Sequence, residues 1–233
     1  MTMYPKTSDV CGLTLDFHSH ILPGVDHGSD SVETSLYQLH QAEKFGITHI
    51  CATSHFYPEK HDVESFVKLR SESYKRLSDK LFDGCPKIHL GAEVLMCAGI
   101  ESMPGISNLL IEGTNTLLLE LPFTDFSTAY CDSVYSLVRD GIDVVLAHAE
   151  RYNESNIDML IDNGARIQLN ADAFRGVFVP RRVKRWLAGG HVVALGSDIH
   201  MYSKHSYMRY RRAERRIGSY ITPLIEYQNK IIE

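Results

Sequence analysis

The sequence predicts an α/β fold of parallel strands and covering helices, and three observations support this fold class. Seven short apolar runs recur along the chain, and segments with helical periodicity separate them. The runs are almost continuously apolar, which is typical of parallel strands that helices cover on both faces. Each run also carries a histidine, aspartate or glutamate at its end. Because the carboxyl ends of all strands meet on one face of a barrel, this last feature favours a TIM-like barrel over an open doubly wound sheet.

The seven predicted strands are rich in leucine, isoleucine and valine, as buried strands are. The first, LTLDF, runs directly into the stretch HSHILPGVDHG, and the last, HVVALGSD, runs into IH. The strands cover residues 13–17, 47–53, 87–93, 116–121, 143–149, 166–172 and 191–198.

The predicted helices lie between these strands. For the first helix, Asp30 and Glu33 form a capping box, and a glycine at position 46 ends the apolar periodicity. Three later strands follow a helix that ends in glycine, a common helix terminator. The later helices are predicted over 62–82, 127–140, 154–163, 180–189 and 206–217.

Length and composition indicate one domain. A chain of 233 residues with 44% apolar and 23% charged residues can bury a core of the size that one α/β barrel needs. We expect residues 13–233 to form this domain and residues 1–12 to be a flexible extension.

Charge and hydropathy exclude several partners. The net charge of -5 argues against a general nucleic-acid binder. The basic run at 209–216 is a local exception, which is either a solvated helix face or a contact for an acidic partner or a second copy in a homo-oligomer. No apolar run approaches the about 18 residues of a membrane span, and the N-terminus lacks a signal-peptide core, so we expect a cytoplasmic protein without membrane insertion.

The five cysteines predict neither a thiolate nucleophile nor a disulfide framework. Their number is odd, they are scattered, and no C-x-x-C pair occurs, which fits reduced thiols.

The polar strand ends predict a metal centre. Residues two apart on a strand point the same way, so His18 and His20 can reach one ion, and Asp198 and His200 repeat this spacing. Imidazoles mixed with carboxylates suit zinc, manganese or iron, and so many ligands imply more than one ion. The intervening strands add His55, Glu93, Glu120 and His148.

Each of these residues also has a simpler interpretation. A single histidine at a strand end is more often a structural residue, and Glu120 could be an ion-paired core acid. Asn170 and Asp172, which end the sixth strand, could support the ligands or cap a helix. Eight ligand-type side chains at the ends of six strands are hard to explain as separate accidents, so we predict a multinuclear metal site.

These residues resemble the polymerase and histidinol phosphatase (PHP) superfamily, whose hallmark is an H-x-H strand, then separate His and Glu ligands, then D-x-H. More narrowly, the chain resembles the bacterial tyrosine phosphatases of capsule and exopolysaccharide clusters. The matching pieces lie between about residues 14 and 202 and are DFHSHILPGVDHG, EKFGITHICATSHF, GAE, LLLELP, AHAERY, LNAD and GSDIH.

The resemblance implies a distorted TIM-like (βα)7 barrel of the PHP type that holds three divalent ions, commonly manganese, with iron or zinc as alternatives. It also implies that Arg151 contacts phosphate. If an acid protonates the leaving group, His200 or a metal-bound water is the candidate. The implied ligand sets are His18, His20, Glu93 and Asp198 for one ion, Glu93, Glu120 and His148 for a second, and His27, His55 and His200 for a third.

Two departures from the family pattern affect these expectations. The chain reads VDHG where the family usually has VDDG, so His27 replaces a ligand aspartate. Past GSDIH the family often has a second phosphate-binding arginine, and here only Lys204 or His205 could substitute.

By resemblance, the expected function is hydrolysis of phosphotyrosine on the tail of a bacterial tyrosine autokinase that regulates capsule or exopolysaccharide synthesis. The alternative is a small-molecule phosphomonoesterase of the histidinol-phosphatase type, which His27 favours. More distant alternatives are an amidohydrolase-type enzyme and a metal-binding regulatory module without turnover.

Overall fold

The computed structural model describes residues 12–123 and 126–233. The expected flexibility of residues 1–12 therefore concerns a segment that lies, apart from Gly12, outside the described residues.

The strands form two parallel sheets whose neighbours follow chain order. One sheet has the order β1-β2-β4 and the other the order β3-β5-β6-β7-β8-β9. β3 continues the path of β2 after a two-residue break, and β5 continues β4 in the same way, so the nine segments occupy the seven predicted strand positions. The strands are β1 (Leu15–Ser19), β2 (His49–Ala52), β3 (His55–Phe56), β4 (Lys87–Leu90), β5 (Glu93–Leu95), β6 (Thr116–Glu120), β7 (Asp143–Leu146), β8 (Arg166–Asn170) and β9 (Val192–Gly196).

Backbone contacts beyond the strand ladders link the first and last strands. An isolated bridge joins Ser19 to Ile199, and the N–H of Asp198 donates to the carbonyl of His18 at 2.9 Å. Within the described ranges no ladder joins β1 to β9, so the hydrogen-bonded ring is not continuous. The α/β class and the parallel strand order are confirmed, and the barrel is a distorted one.

The helices cover the outer faces of the strands, and one of them was not predicted. The first helix begins one residue later than expected, because Ser31 caps it by accepting the N–H of Thr34 at 3.2 Å, while Asp30 accepts from the Thr34 hydroxyl. The helices are α1 (Val32–Lys44), α2 (Val63–Ser78), α3 (Ala129–Arg139), α4 (Glu154–Asp162), α5 (Arg181–Ala188), α6 (Ser206–Ile217) and α7 (Thr222–Ile232).

The unpredicted helix α7 packs against the amino-terminal ends of the strands. The Tyr227 hydroxyl donates to Asp143 at the start of β7 at 2.9 Å and lies 3.0 Å from the hydroxyl of Thr116 at the start of β6. The amide oxygen of Gln228 accepts the N–H of Leu15 at the start of β1. This helix therefore closes one end of the barrel and leaves the carboxyl ends of the strands open.

Two further features of the described residues concern the cysteines and the length and hydropathy of the helices. The four described cysteines form no disulfide, and burial raises the pKa of the Cys51 thiol well above its usual value. Among the described helices, none is both long enough and apolar enough to span a bilayer.

Candidate metal centre

Two imidazoles at the end of β1 face each other in the buried interior. The Nε2 atoms of His18 and His20 are only 3.1 Å apart. His18 Nδ1 lies 3.2 Å from the Gln168 amide oxygen, which also accepts the N–H of His148. His20 Nδ1 lies 2.7 Å from an Asp26 carboxylate oxygen. Because both Nδ1 atoms face acceptors, each donates its proton there, and in the neutral rings the two Nε2 lone pairs point at one another.

Two carboxylates face the same point. One oxygen of Glu93 lies 3.2 and 3.3 Å from the Nε2 atoms of His18 and His20, and one oxygen of Asp198 lies 3.8 and 3.4 Å from them. No donor within the described residues satisfies that Glu93 oxygen. The four facing atoms are the two imidazole Nε2 atoms and one oxygen each of Glu93 and Asp198. Such electron-rich atoms in a buried space repel one another unless a cation lies among them, so this donor set fits a divalent metal ion.

Glu93 links this group to a second one. Its other oxygen lies 2.8 Å from His148 Nε2, and Glu120 lies 3.6 Å from the same nitrogen. On the opposite side, His55 Nδ1 lies 3.0 Å from Glu93 and 3.6 Å from Glu120. A carboxylate with ligands around both oxygens is suited to bridge two cations.

The ligand-type atoms fall into four overlapping groups in which every atom lies within 4.8 Å of the others. The groups form one cluster, because four residues each belong to two of them: His18, His20, His55 and Glu93. The four groups are His20, His55 and His200; His18, His20 and Asp198; His18, Glu93 and His148; and His55, Glu93 and Glu120.

His27 belongs to none of these four groups but lies beside them. Its ring centroid is 4.9 Å from that of His55 and 4.7 Å from that of His200. It lines the same open cavity of about 210 Å³ as Glu120 and Arg151. The histidine at this position therefore places a side chain that can ligate a metal at the mouth of the cluster.

Two of the predicted ligands have strained backbones. His148 has a φ of 34° and Asp198 a φ of 50°, a region that residues other than glycine rarely adopt. Such strain persists only where surrounding contacts hold it, and it concentrates at functional sites. Here the N–H of His148 donates to Gln168, and the N–H of Asp198 donates to the carbonyl of His18.

Two glycines allow the chain to approach the facing imidazoles. A Cβ on Gly28 would lie 2.1 Å from the Cβ of His20, and a Cβ on Gly196 would lie 2.6 Å from the Cβ of His18. Neither position therefore tolerates a side chain without displacing a predicted ligand.

The carboxylates control the charge of the cluster. Burial lowers the pKa of His55, but Glu120 and Glu93 outweigh it and raise that pKa to about 9. Burial and the positive charge of His20 lower the pKa of His200 to about 4. The His200 ring is therefore neutral at pH 7, which suits a metal ligand better than a proton donor.

Three supporting residues contact the ligands, and of these the strand pattern predicted only Asn170. Asp26 accepts from His20 Nδ1 and from the backbone N–H of His55 at 2.9 Å, so it fixes the His20 ring and the backbone of His55. Gln168 lies two residues before Asn170 on β8, and that spacing could have revealed it. Asn170 donates to Asp198 at 2.8 Å.

The other candidate residues lie elsewhere. Asp172 pairs with Arg175 and Arg209 and does not contact the ligands. Lys204 and His205 are exposed and do not line the metal cavity.

Arg151 is the only arginine or lysine that lines this cavity within the described ranges. It lies in a 3₁₀ turn directly after His148, and its guanidinium donates to Asp198 at 2.5 Å. The remaining guanidinium donors can reach an anion beside the ligand cluster, since one carboxylate uses only part of the fork.

An aromatic cavity adjoins the metal cavity. It measures about 210 Å³ and shares Phe123 and Arg151 with the metal cavity. Tyr152 lies on its wall, 5.7 Å from Phe123 between ring centroids, and Phe126 and Tyr130 complete its aromatic surface. The two cavities therefore place an anion site and an apolar ring site side by side.

Comparison with known proteins agrees with this arrangement. The sequence model of the family described as "Capsular polysaccharide synthesis, CpsB/CapC" matches residues 14–230. CapC of Staphylococcus aureus is 28% identical over 227 residues, which cover 91% of this chain and 88% of that protein. The tyrosine-protein phosphatase CpsB of Streptococcus pneumoniae is 29% identical over 218 residues, which cover 84% of this chain and 86% of that protein.

A solved structure shows the same fold. It belongs to the pair YwqE of Bacillus subtilis and CpsB of Streptococcus pneumoniae, described as metal-dependent tyrosine phosphatases. The match has a TM-score of 0.67 at 24% identity and covers 86% of this chain and 92% of that one.

Proposed function

Because the chain belongs to the CpsB/CapC family of capsular polysaccharide synthesis, we propose that it is a metal-dependent protein tyrosine phosphatase. One observation carries the proposal: buried imidazoles and carboxylates surround Glu93, one oxygen of which has no hydrogen-bond donor among the described residues, and the guanidinium of Arg151 lies beside them. Cation-binding atoms beside an anion-binding group are what hydrolysis of a phosphate ester requires. The tyrosine phosphatase activity named for CpsB of Streptococcus pneumoniae supports the same reaction.

The residues that would hold metal are the nine predicted from the sequence. We propose three divalent ions, manganese by resemblance, with iron and zinc as alternatives. Such ions would supply Lewis acidity to phosphoryl oxygens and make water more acidic. The proposed ligands are His18, His20, His27, His55, Glu93, Glu120, His148, Asp198 and His200.

The chain's own residues orient the phosphate. Arg151 would donate to nonbridging oxygens, and its bond to Asp198 keeps the guanidinium at the rim of the cavity. Asp26 and Gln168 hold the imidazoles in one tautomer, so their Nε2 atoms face the centre.

The aromatic cavity favours phosphotyrosine over histidinol phosphate. With the phosphate at Arg151, the tyrosyl ring would lie against Phe123 and Tyr152, where rings of this size pack well. The leaving phenolate, with a pKa of about 10, needs little help from an acid. The role of His200 as a proton donor is therefore secondary to its role as a ligand.

Further proposals concern the domain, the cellular location and the protein substrate. We propose that one domain over residues 13–233 acts in the cytoplasm on the tyrosine-rich tail of an autokinase that regulates capsule or exopolysaccharide synthesis. The family match over residues 14–230 supports a single domain, and the net charge argues against nucleic acid as a partner.

Metal removal and a substrate panel test the proposal. We expect the chelated protein to lose hydrolysis of a phosphotyrosyl peptide and to regain it with manganese. Phosphoseryl peptide and histidinol phosphate should be poorer substrates by at least about tenfold in kcat/KM, since neither fills the aromatic cavity as a phenol does. Full activity after chelation would exclude the metal mechanism, and preference for histidinol phosphate would favour the small-molecule alternative.

A further inference from the structure

A second, strongly basic cavity lies between helix α6 and the 3₁₀ turn Ala171–Phe174 that follows β8. It measures about 500 Å³ and is concave. We call it the arginine groove; its polar and exposed lining consists of Arg175, His205, Met208, Arg209, Arg212 and Arg215.

Of the five arginines of α6, Arg209 pairs with Asp172, and the other four divide into two sets. Arg211 donates to the carbonyl of Leu13 and to Glu214, both at 2.7 Å, and Arg216 donates to the carbonyls of the 174–177 loop. These two side chains hold the fold together. Arg212 and Arg215 are exposed in the groove, and neither has a carboxylate within 4.0 Å in the part of the chain that the structure describes.

The groove therefore carries an excess of positive charge. Only Asp172 pairs with groove arginines among the described residues, at 3.3 Å from both Arg175 and Arg209. The four groove arginines together with the carboxylate of Asp172 carry a net charge of +3, although the net charge of the whole chain is -5. Concave basic surfaces attract anions and bind phosphate or carboxylate groups through guanidinium forks.

One end of the groove lies near the metal cavity. Ala171 lines the groove and directly follows Asn170, which donates to Asp198 in the metal cavity. His205, also in the groove, lies five residues after His200. From His205 to Arg215 the helix advances about 15 Å. An extended peptide covers that length in about four or five residues.

Apolar side chains beside the arginines indicate a peptide and not a small free anion. Met208 lines the groove with 49% of its surface exposed, and Phe178 in the adjoining loop is 82% exposed. The bonds from Arg216 to this loop hold it along the helix.

We propose that the arginine groove binds an anionic segment of the phosphoprotein substrate, about three to six residues from the phosphotyrosine in the metal cavity. The proposal rests on the phosphatase function proposed above. The anionic groups are carboxylate side chains or a second phosphotyrosine, because guanidinium groups pair with both.

The test compares two double variants that each remove two positive charges from an exposed helix face. Arg212→Gln/Arg215→Gln alters the groove, and Lys68→Gln/Lys75→Gln on α2 is the matched control. The substrates are p-nitrophenyl phosphate and three phosphotyrosyl peptides: one with neutral flanks, one with glutamate flanks, and one with a non-hydrolysable phosphonate analogue as a second phosphotyrosine. Binding of unphosphorylated glutamate-rich peptide is measured separately by fluorescence anisotropy.

We expect the groove variant to lose about tenfold in kcat/KM for the anionic peptides, mainly through KM, and to keep parental activity on p-nitrophenyl phosphate. The control variant should match the parent throughout. A loss for only one of the two anionic peptides identifies the source of the negative charge. Equal rates for neutral and anionic peptides in the parent and in both variants would overturn the proposal.

Two further measurements distinguish a substrate peptide from a membrane surface or a second copy of the chain. The first measures binding to vesicles rich in anionic phospholipid. If the groove variant loses vesicle binding while its activity on the peptides is unchanged, the groove binds a membrane surface instead. A change of oligomeric state in the groove variant alone would assign it to a second copy. If no phosphopeptide is hydrolysed, the phosphatase function fails, while the anisotropy measurement still decides whether the groove binds an acidic peptide.

Discussion

Two pairs of facing imidazoles lie at opposite ends of the strands, and only one pair suits a metal ion. His18 and His20 lie at the carboxyl end of β1, with ring nitrogens 3.1 Å apart. His49 opens β2 and bonds His89 in β4, with ring nitrogens 2.9 Å apart. Distance alone does not distinguish these pairs.

The neighbouring charges do distinguish them. Carboxylates of Glu93 and Asp198 lie against the first pair, and despite burial they raise the pKa of both rings. No carboxylate lies within 4.0 Å of the second pair in the described ranges, and burial, His49 and Lys87 lower the pKa of His89 to about 4. In the second pair one ring donates to the other, so no cation is required. Carboxylates, and not imidazoles alone, therefore make the first pair suited to bind a cation.

The substitution Glu93→Gln removes the shared carboxylate and should have the largest effect. We expect hydrolysis of phosphotyrosyl peptide to fall by more than about a hundredfold, since an amide neither bridges cations nor balances their charge. His89→Gln in the other pair is the control and should leave the rate unchanged. Activity within about tenfold of the parent in Glu93→Gln would show that the carboxylates are not what distinguishes the two pairs.

The substitution Asp26→Asn tests whether a supporting carboxylate matters. We expect the manganese concentration for half-maximal activity to rise about 10- to 100-fold, because His20 loses the acceptor that fixes its tautomer. Excess manganese should restore most of the rate. The substitution Asp83→Asn at an exposed position serves as the control. An unchanged manganese requirement in Asp26→Asn would mean that the His20 ring keeps its orientation without the Asp26 carboxylate.

The stability of the metal-free protein should depend on pH in opposite senses for the two pairs. The pKa of His55, beside the first pair, is raised to about 9, so its contribution to stability is complete below about 6.5 and is lost as pH rises to about 9. The pKa of His89 is lowered to about 4, so its contribution is lost as pH falls from about 6.5 to about 4.

Thermal unfolding in chelator across this pH range measures both effects. We expect His55→Gln to remove part of the stability loss between about pH 6.5 and 9, which corresponds to a Tm change of about 2–4 °C. We expect His89→Gln to change stability only below about pH 6.5. Added manganese should stabilise the parent most at high pH, because protons then compete least for the ligands. The same pH profile for both variants would contradict the distinction between the pairs.

The clustering of the candidate ligands was predictable because strand geometry determines where these side chains point. Residues two apart share a face, and parallel strands bring their carboxyl ends together, so spacing predicts that His18, His20 and Asp198 lie close together. Asp26 lies in the loop after β1, where no periodicity constrains side-chain direction. The missed helix α7 follows closely on α6, and its role depends on contacts with the starts of three distant strands. Local sequence contains no signal for such long-range contacts.

The smallest effect should come from His27, which stands where the resemblance implies an aspartate ligand. Its ring lies beside His55 and His200 but forms no carboxylate contact within 4.0 Å in the described ranges. By the distinction between the two pairs, a carboxylate here should hold a cation more firmly. We expect His27→Asp to lower the manganese requirement about threefold and His27→Ala to raise it by a similar factor, without a change of fold. A manganese titration of activity in both variants decides this: if neither shifts, His27 is not a ligand, and if only His27→Ala weakens binding, the imidazole already serves as well as the family's aspartate.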